Sequence, residues 1–258
     1  MKYMFLSLIL STSFNANAQF DTIEHLNLSS PKAEELFTFF KNDLGLTINW
    51  DYLVWSDDFA SGGISFANVP VEIQVSKGTI KTSFMGICLE PHESLEQILP
   101  VLDSTNILFD NFRPFISTLQ DGTKETTLEI MNIRNVLPTD INFIICDFKH
   151  RDQVHRNREE AYNLLKINNG GNLGVILLKE VVIGCRHLSS CINEPSKLPG
   201  IKMADNNWFS FRSGPDMRIT YSFTEGILRI VVQVNSLVSA KEYLKSRNIL
   251  GDSTKNVI

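Results

Sequence analysis

One order of elements, strand–helix–strand–strand–strand, comes round more than once along this chain. Ile23 to Ser29 reads as a strand ended by Ser30-Pro31. Residues 32–44 then set Ala33, Leu36, Phe37, Phe40 and Leu44 at helical spacing, with Ser30 as N-cap, Pro31 at the first helical position and Gly45 just past the end. Strand-like runs follow over 47–55, 60–67 and 69–76. The order restarts with a strand over 82–90, a helix over 93–103 carrying Leu95, Ile98, Leu99 and Leu102, and strands over 109–116, 126–133 and 141–148. Units of this kind must bury one sheet face beneath their helix, which predicts an α+β fold of tandem βαβββ modules.

The remainder follows the pattern less closely. A polar helix spans about 153–166, and Asn168-Asn169-Gly170-Gly171-Asn172 reads as a linker. A strand over 174–185 is followed by a Pro- and Gly-punctuated loop, Ser189 to Gly200, where a helix is due. Strands over 208–213, 216–222 and 226–234 and a helix over 236–248 close the chain. The division expected is a leader over 1–18, module one over 19–78, module two over 79–150, helix and linker over 151–172, and a degenerate third module with the first half of another over 173–258.

The leader is a secretory signal peptide by its pattern. Lys2 supplies the charge, Tyr3 to Leu10 a short apolar run, and Ala16-Asn17-Ala18 a small-x-small site that places cleavage between Ala18 and Gln19. No run approaches the eighteen or so apolar residues of a spanning helix, and no cysteine near the cleavage site offers a lipid anchor. A secreted or periplasmic protein is expected. A net charge of −5 argues against nucleic acid as a partner, which requires concentrated Lys and Arg. Of the four cysteines, Cys88, Cys146 and Cys185 lie in apolar runs and read as small buried hydrophobes, while Cys185 and Cys191 are close enough to bridge across a turn.

The opening IEHLNLSSPKAEELFTFFKNDLGL, the later strand VEIQV, and the more distant KEVVIGCRHL and WFSFRSGPDMRITYS resemble the vicinal-oxygen-chelate superfamily of glyoxalases, extradiol dioxygenases and resistance proteins. The resemblance is best over 23–76 and fair over 174–251, and between them it rests on element order. It implies two modules paired into a cup around a divalent metal (Fe, Mn, Ni or Zn), held by a His on the first strand and a Glu on the last strand of each module. Module one supplies His25 and Glu72. Strand alternation puts His25 with Asn27 on one face of the first strand and Glu72 with Gln74 on one face of the last, all four lining one polar hollow, so Asn27 and Gln74 are candidate substrate-binding residues. Trp50, Tyr52, Trp55, Phe59 and Phe66 are core residues or, on the His25 face, a clasp for an apolar ligand.

The second half of the site departs from that pattern. In module two the His position falls at about Gly86, and the last strand NFIICDF offers only Asp147. In module three Glu180 takes the His position and Arg218 the Glu position, where a cation would repel an ion. Glu180 or Asp147 remain the residues to complete a ligand set. His150, Arg151, His155, Arg156 and Arg158 form a basic cluster that reads as a solvated face. Two functional readings stand: a metal-dependent lyase, isomerase or dioxygenase, and a metal-free protein that sequesters a small molecule. A filled cup with a structural role is a third, and homodimerisation would cover the sheet edges of an incomplete module.

Overall fold

The computed structural model describes residues 20, 22–118, 122–137 and 141–251. The expected signal peptide, with its expected cleavage between Ala18 and Gln19, lies outside the described residues. Module one is β1 (Thr22–Ser29), α1 (Ala33–Thr38), β2 (Ile48–Ser56), β3 (Phe59–Ser65) and β4 (Pro70–Ser76). The helix starts later than its sequence implies. Ser30 Oγ accepts the Lys32 amide at 3.1 Å and so caps a turn at 30–32, one step ahead of the helix proper. Past Thr38 the helix widens into a π turn over Phe39–Asp43, and Gly45 then leaves it at φ +67° as expected of a helix terminator.

Module two is β5 (Ser83–Glu90), α2 (Leu95–Ser104), a short β6 (Leu108–Phe109), β7 (Arg113–Thr118), β8 (Lys124–Arg134) and β9 (Asn142–Phe148). The two modules share one nine-stranded sheet of order β2-β3-β4-β1-β5-β9-β8-β6, with β7 also on β8. The modules meet where β1 pairs antiparallel with β5, and His25 faces Cys88 across that seam. Leu26, Leu28, Val71, Ile73, Ile87, Leu89, Phe143 and Ile145 all point to the convex face and join Phe37, Leu95, Ile98 and Leu102 in one core. The sheet curls: Trp55 on β2, at one end of the strand order, meets Phe115 on β7, at the other, edge to face with ring centroids 5.7 Å apart. The concave side of that curl is the cup.

The third module is less degenerate than its sequence reads. The segment expected to be a loop contains α4 (Leu188–Asn193), and an additional strand, β11 (Lys202–Asp205), precedes β12 (Trp208–Ser210) and β13 (Asp216–Tyr221). With β10 (Val175–Cys185) these complete a βαβββ unit, and β14 (Gly226–Val234) with α5 (Leu237–Ser246) begins a further one. The five-stranded sheet has the order β11-β12-β13-β10-β14, so β14 lies against β10 as β5 lies against β1. Pro and Gly masked α4 because a six-residue helix is too short to show a period. Its anchor is the Cys185–Cys191 disulfide, Cα–Cα 6.6 Å, which ties the end of β10 to the helix.

The polar helix α3 (Arg151–Ile167) leads to the linker, whose Gly170 and Gly171 take φ of 79° and 67°. The third module then docks on the first. The Leu178 amide donates to Asn68 Oδ1 at 2.9 Å while Asn68 Nδ2 donates to the Leu178 carbonyl at 3.0 Å, so one side chain imitates a strand partner. Among the described residues no helix is long and apolar enough to cross a membrane.

Gly63 illustrates how tightly the cup is filled. A Cβ added there would run into the Trp50 ring, which lies over it. Gly63→Ala is therefore expected to displace Trp50 and cost about 1–3 kcal/mol. A fall in melting temperature together with a shift in indole fluorescence checks this, and an unchanged spectrum refutes it.

Candidate metal centre

Strand register places one pair of side chains per module in the same two slots. In the parallel β1–β4 pair Asn27 faces Glu72, so His25 stands two residues before the residue opposite Glu72. In the parallel β5–β9 pair Cys88 faces Ile144, so Cys88 stands in the same relation to Cys146. In the parallel β10–β13 pair Val182 faces Arg218, so Glu180 stands in that relation to Arg218. The equivalent pairs are thus His25/Glu72, Cys88/Cys146 and Glu180/Arg218.

The first two pairs converge in the cup. His25 Nε2 lies 3.3 Å from Glu72 Oε2. One ligand atom from each of His25, Cys88 and Cys146 falls within 4.8 Å of the others, and all three residues are buried. The expectation that Gly86 occupies the His slot of module two is corrected: Cys88, one pleat repeat along on the same face, does so. Asp147 is no ligand, because it points to the convex face, where Oδ2 accepts the Leu95 amide at the start of α2 and Oδ1 meets Arg151 at 2.8 Å. Glu180 does not complete the set either. It sits in the other sheet with Oε1 accepting from Arg218 Nε at 2.6 Å, and the Arg218 guanidinium lies over the Trp208 ring. Arg218 therefore stands away from the cup's cluster, and its charge is met by Glu180.

Around the four donors the cup is polar and then aromatic. Asn27 Oδ1 receives the Cys88 thiol at 3.7 Å. Ser61 hydrogen-bonds Glu72 and accepts the Trp55 indole N–H at 3.0 Å. Trp50 meets His25 edge-on at 6.3 Å. Gln74 is half-buried one pleat repeat beyond Glu72 on the same strand. Cys88 and Cys146 are free, and their offset is wrong for a disulfide: diagonal neighbours on parallel strands stand about 8 Å apart at Cα, beyond the roughly 7 Å that a disulfide spans.

Charge in the cup is shared. Burial acts to lower the His25 pKa, but the hydrogen bond and charge of Glu72, with smaller contributions from Cys146 and Asn27, raise it overall. Burial acts to raise that of Glu72, and the His25 hydrogen bond and charge, with Ser61, bring it below the usual carboxylate value. Burial pushes the Cys88 thiol well up, while a hydrogen bond from Cys88 brings Cys146 down. The pair sets a pH window for the metal-free protein. The stabilisation from His25 is complete below the ordinary histidine value of 6.5 and lost as pH rises through its raised folded value. That from Glu72 is complete above 4.5 and lost as pH falls through its lowered folded value. The melting-temperature advantage of wild type over Glu72→Gln, measured in chelator, is expected to peak between these values. An advantage that only grows toward alkaline pH rules the pairing out.

The basic cluster is only partly a solvated face. His150 is exposed and pairs with Glu125 at 2.8 Å. Arg151 and Arg158 instead turn inward to Glu90, and the exposed His155 reaches the same carboxylate with Nε2 at 2.8 Å. Desolvation lowers the Arg158 pKa to about 10.

With this geometry the chain can be set against known structures. No family model matches it, and no curated protein matches it by sequence. A protein described as hypothetical from Staphylococcus aureus superposes with a TM-score of 0.60 at 11% identity, covering 83% of this chain and 92% of that one. The Mn(II)-bound glyoxalase from Novosphingobium aromaticivorans gives 0.54 at 9% identity over 89% and 72%. Homoprotocatechuate 2,3-dioxygenase from Brevibacterium fuscum, in complex with 3,4-dihydroxyphenylacetate, gives 0.56 at 9% over 90% and 70%. The chain spans about 63% of the length of other solved forms of that dioxygenase. At such identities the likeness concerns the fold alone: the chain shares the fold of these glyoxalase and dioxygenase structures, and its own cup contains a cluster, His25, Cys88 and Cys146, that could hold a metal ion.

Proposed function

We propose that this chain is an exported, metal-dependent protein acting on a small molecule in its cup, with His25, Glu72, Cys88 and Cys146 as the ion's ligands. The convergence of His25, Cys88 and Cys146 on one buried point, with Glu72 3.3 Å from His25 Nε2, carries the reading. One imidazole nitrogen, one carboxylate and two thiols form a soft, mixed donor set that suits Zn²⁺ better than the all-N/O sets that hold Mn²⁺ or Fe²⁺. Such an ion supplies Lewis acidity toward substrate oxygens. The chain's own residues do the rest: Asn27 and Gln74 offer polar contacts, Trp50 an apolar wall, and Ser61 orients Glu72. The Cys185–Cys191 disulfide supports an oxidising compartment and hence export.

Metal content of the mature protein tests this. Loaded under reducing conditions, wild type should carry one divalent ion per chain and His25→Ala should lose it. Wild type without metal after such loading overturns the reading. A second reading, binding of a small molecule without catalysis, draws on a cavity of about 620 Å³ outside the cup, bordered by Glu24, Glu90, Arg151, His155 and Ile176. A ligand-induced thermal shift that persists in chelator is its signature.

A further inference from the structure

The β1–β5 seam contains an irregularity that the ligand slots leave unused. Between Ile23 and His25 the strand β1 advances two residues while β5 advances one, so Glu24 is the extra residue of a β-bulge. Strict alternation would send Glu24 and His25 to opposite faces, and a bulge re-aims such a side chain. Glu24 is 1% exposed, and its Oε2 is in contact with His25 Nδ1. Its Oε1 is in contact with the Arg158 guanidinium. Arg158 in turn lies 3.4 Å from Glu90 Oε2 and stacks on the Phe148 ring at 5.7 Å. One arginine on α3 therefore grips a β1 residue of module one and a β5 residue of module two.

We propose that Glu24, held in place by Arg158, is the positioning residue of the metal centre, fixing the His25 ring with its proton on Nδ1 and Nε2 free for the ion. This rests on the reading that the centre binds a metal. An imidazole has two nitrogens, and the hydrogen bond made by one decides which form the other presents. A carboxylate at Nδ1 selects the tautomer whose Nε2 carries a lone pair, and Nε2 is the nitrogen turned toward Glu72. A carboxylate this deep is costly without a counter-charge. Arg158 provides that charge, and Glu90 takes up the remainder of the guanidinium. The clamp also restrains motion, since α3 bridges both sides of the seam along which the two ligand pairs must stay aligned.

The test compares Zn²⁺ affinity, by competition with a chromophoric chelator, in wild type, Glu24→Gln and Arg158→Lys. Each is repeated with Co²⁺, whose absorption reports the ligand field. Glu24→Gln is expected to bind roughly 10–100-fold more weakly, the range found for partners of metal-ligating groups, with altered Co²⁺ bands. A role confined to folding would lower the melting temperature of the metal-free protein and leave affinity and spectrum unchanged, which overturns the proposal. Wild type that binds neither ion removes the reading on which it rests; wild type that binds with Glu24→Gln equal to it removes the proposal alone. If Glu24→Gln does not fold, Arg158→Lys decides. Its single ammonium cannot hold Glu24 and Glu90 as a planar fork does, so affinity should fall several-fold, and equal affinity overturns the proposal.

Discussion

Cys146→Ala is expected to weaken Zn²⁺ binding about a thousandfold, roughly 4 kcal/mol, or about a quarter to two-fifths of the 10–16 kcal/mol typical of thiolate-rich zinc sites. The residue is buried within 4.8 Å of the donors of His25 and Cys88, and the Cys88 hydrogen bond biases it toward the thiolate that an ion requires. Removing one sulfur leaves only a small void, so the metal-free fold should lose no more than about 1 kcal/mol. Chelator competition measures the first quantity and thermal melting in chelator the second. A fold lost without any change in affinity would mean that Cys146 is a core residue and nothing more. The paired slots add a stricter test. Cys88→His with Cys146→Glu should rebuild a two-His, two-Glu set and move preference from Zn²⁺ toward Mn²⁺. Unchanged selectivity would show that these slots do not set the metal.

Arg218→Met is expected to destabilise the chain by about 2–3 kcal/mol. It strands the Glu180 carboxylate, 5% exposed, without its guanidinium. Breaking a fully buried pair costs roughly 3–5 kcal/mol, and the value is set lower here because the Arg218 side chain is about one-third exposed. Replacing both residues, Glu180→Met with Arg218→Met, should recover most of the loss, since apolar groups of similar volume remove both charges together. Denaturant melts of the two single variants and the double variant measure the coupling directly. Additive losses would mean that the two side chains act independently.

Module order was legible in the sequence because βαβββ units advertise themselves through period changes; in module one the family resemblance named His25 and Glu72, and strand parity added Asn27 and Gln74 beside them. Module two hid its contribution for two physical reasons. A thiol counts as a hydrophobe in any apolar pattern, so Cys146 made NFIICDF look uniformly buried. And Gly86 and Cys88 share one face of β5, so parity could not choose between them; only the strand register sets Cys88 opposite His25. The parity was right and the position was not. Arg158 was missed differently. It lies among exposed cations on a polar helix, and only the tertiary fold shows which of them turn inward. Nor did periodicity reveal β11, a four-residue strand exposed along its length.

The meeting of Trp55 and Phe115 bears on how anything enters the cup. These rings join opposite rims of one continuous sheet. An edge-to-face aromatic contact is worth only about 0.5–1.5 kcal/mol beyond the area it buries. If that contact alone held the rims, a gap of this size would leave them apart for roughly one molecule in three to one in fourteen at any moment. The rims would then work as a turnstile rather than a seal, one that admits a flat, π-bearing guest by offering it the same ring faces the two side chains otherwise offer each other.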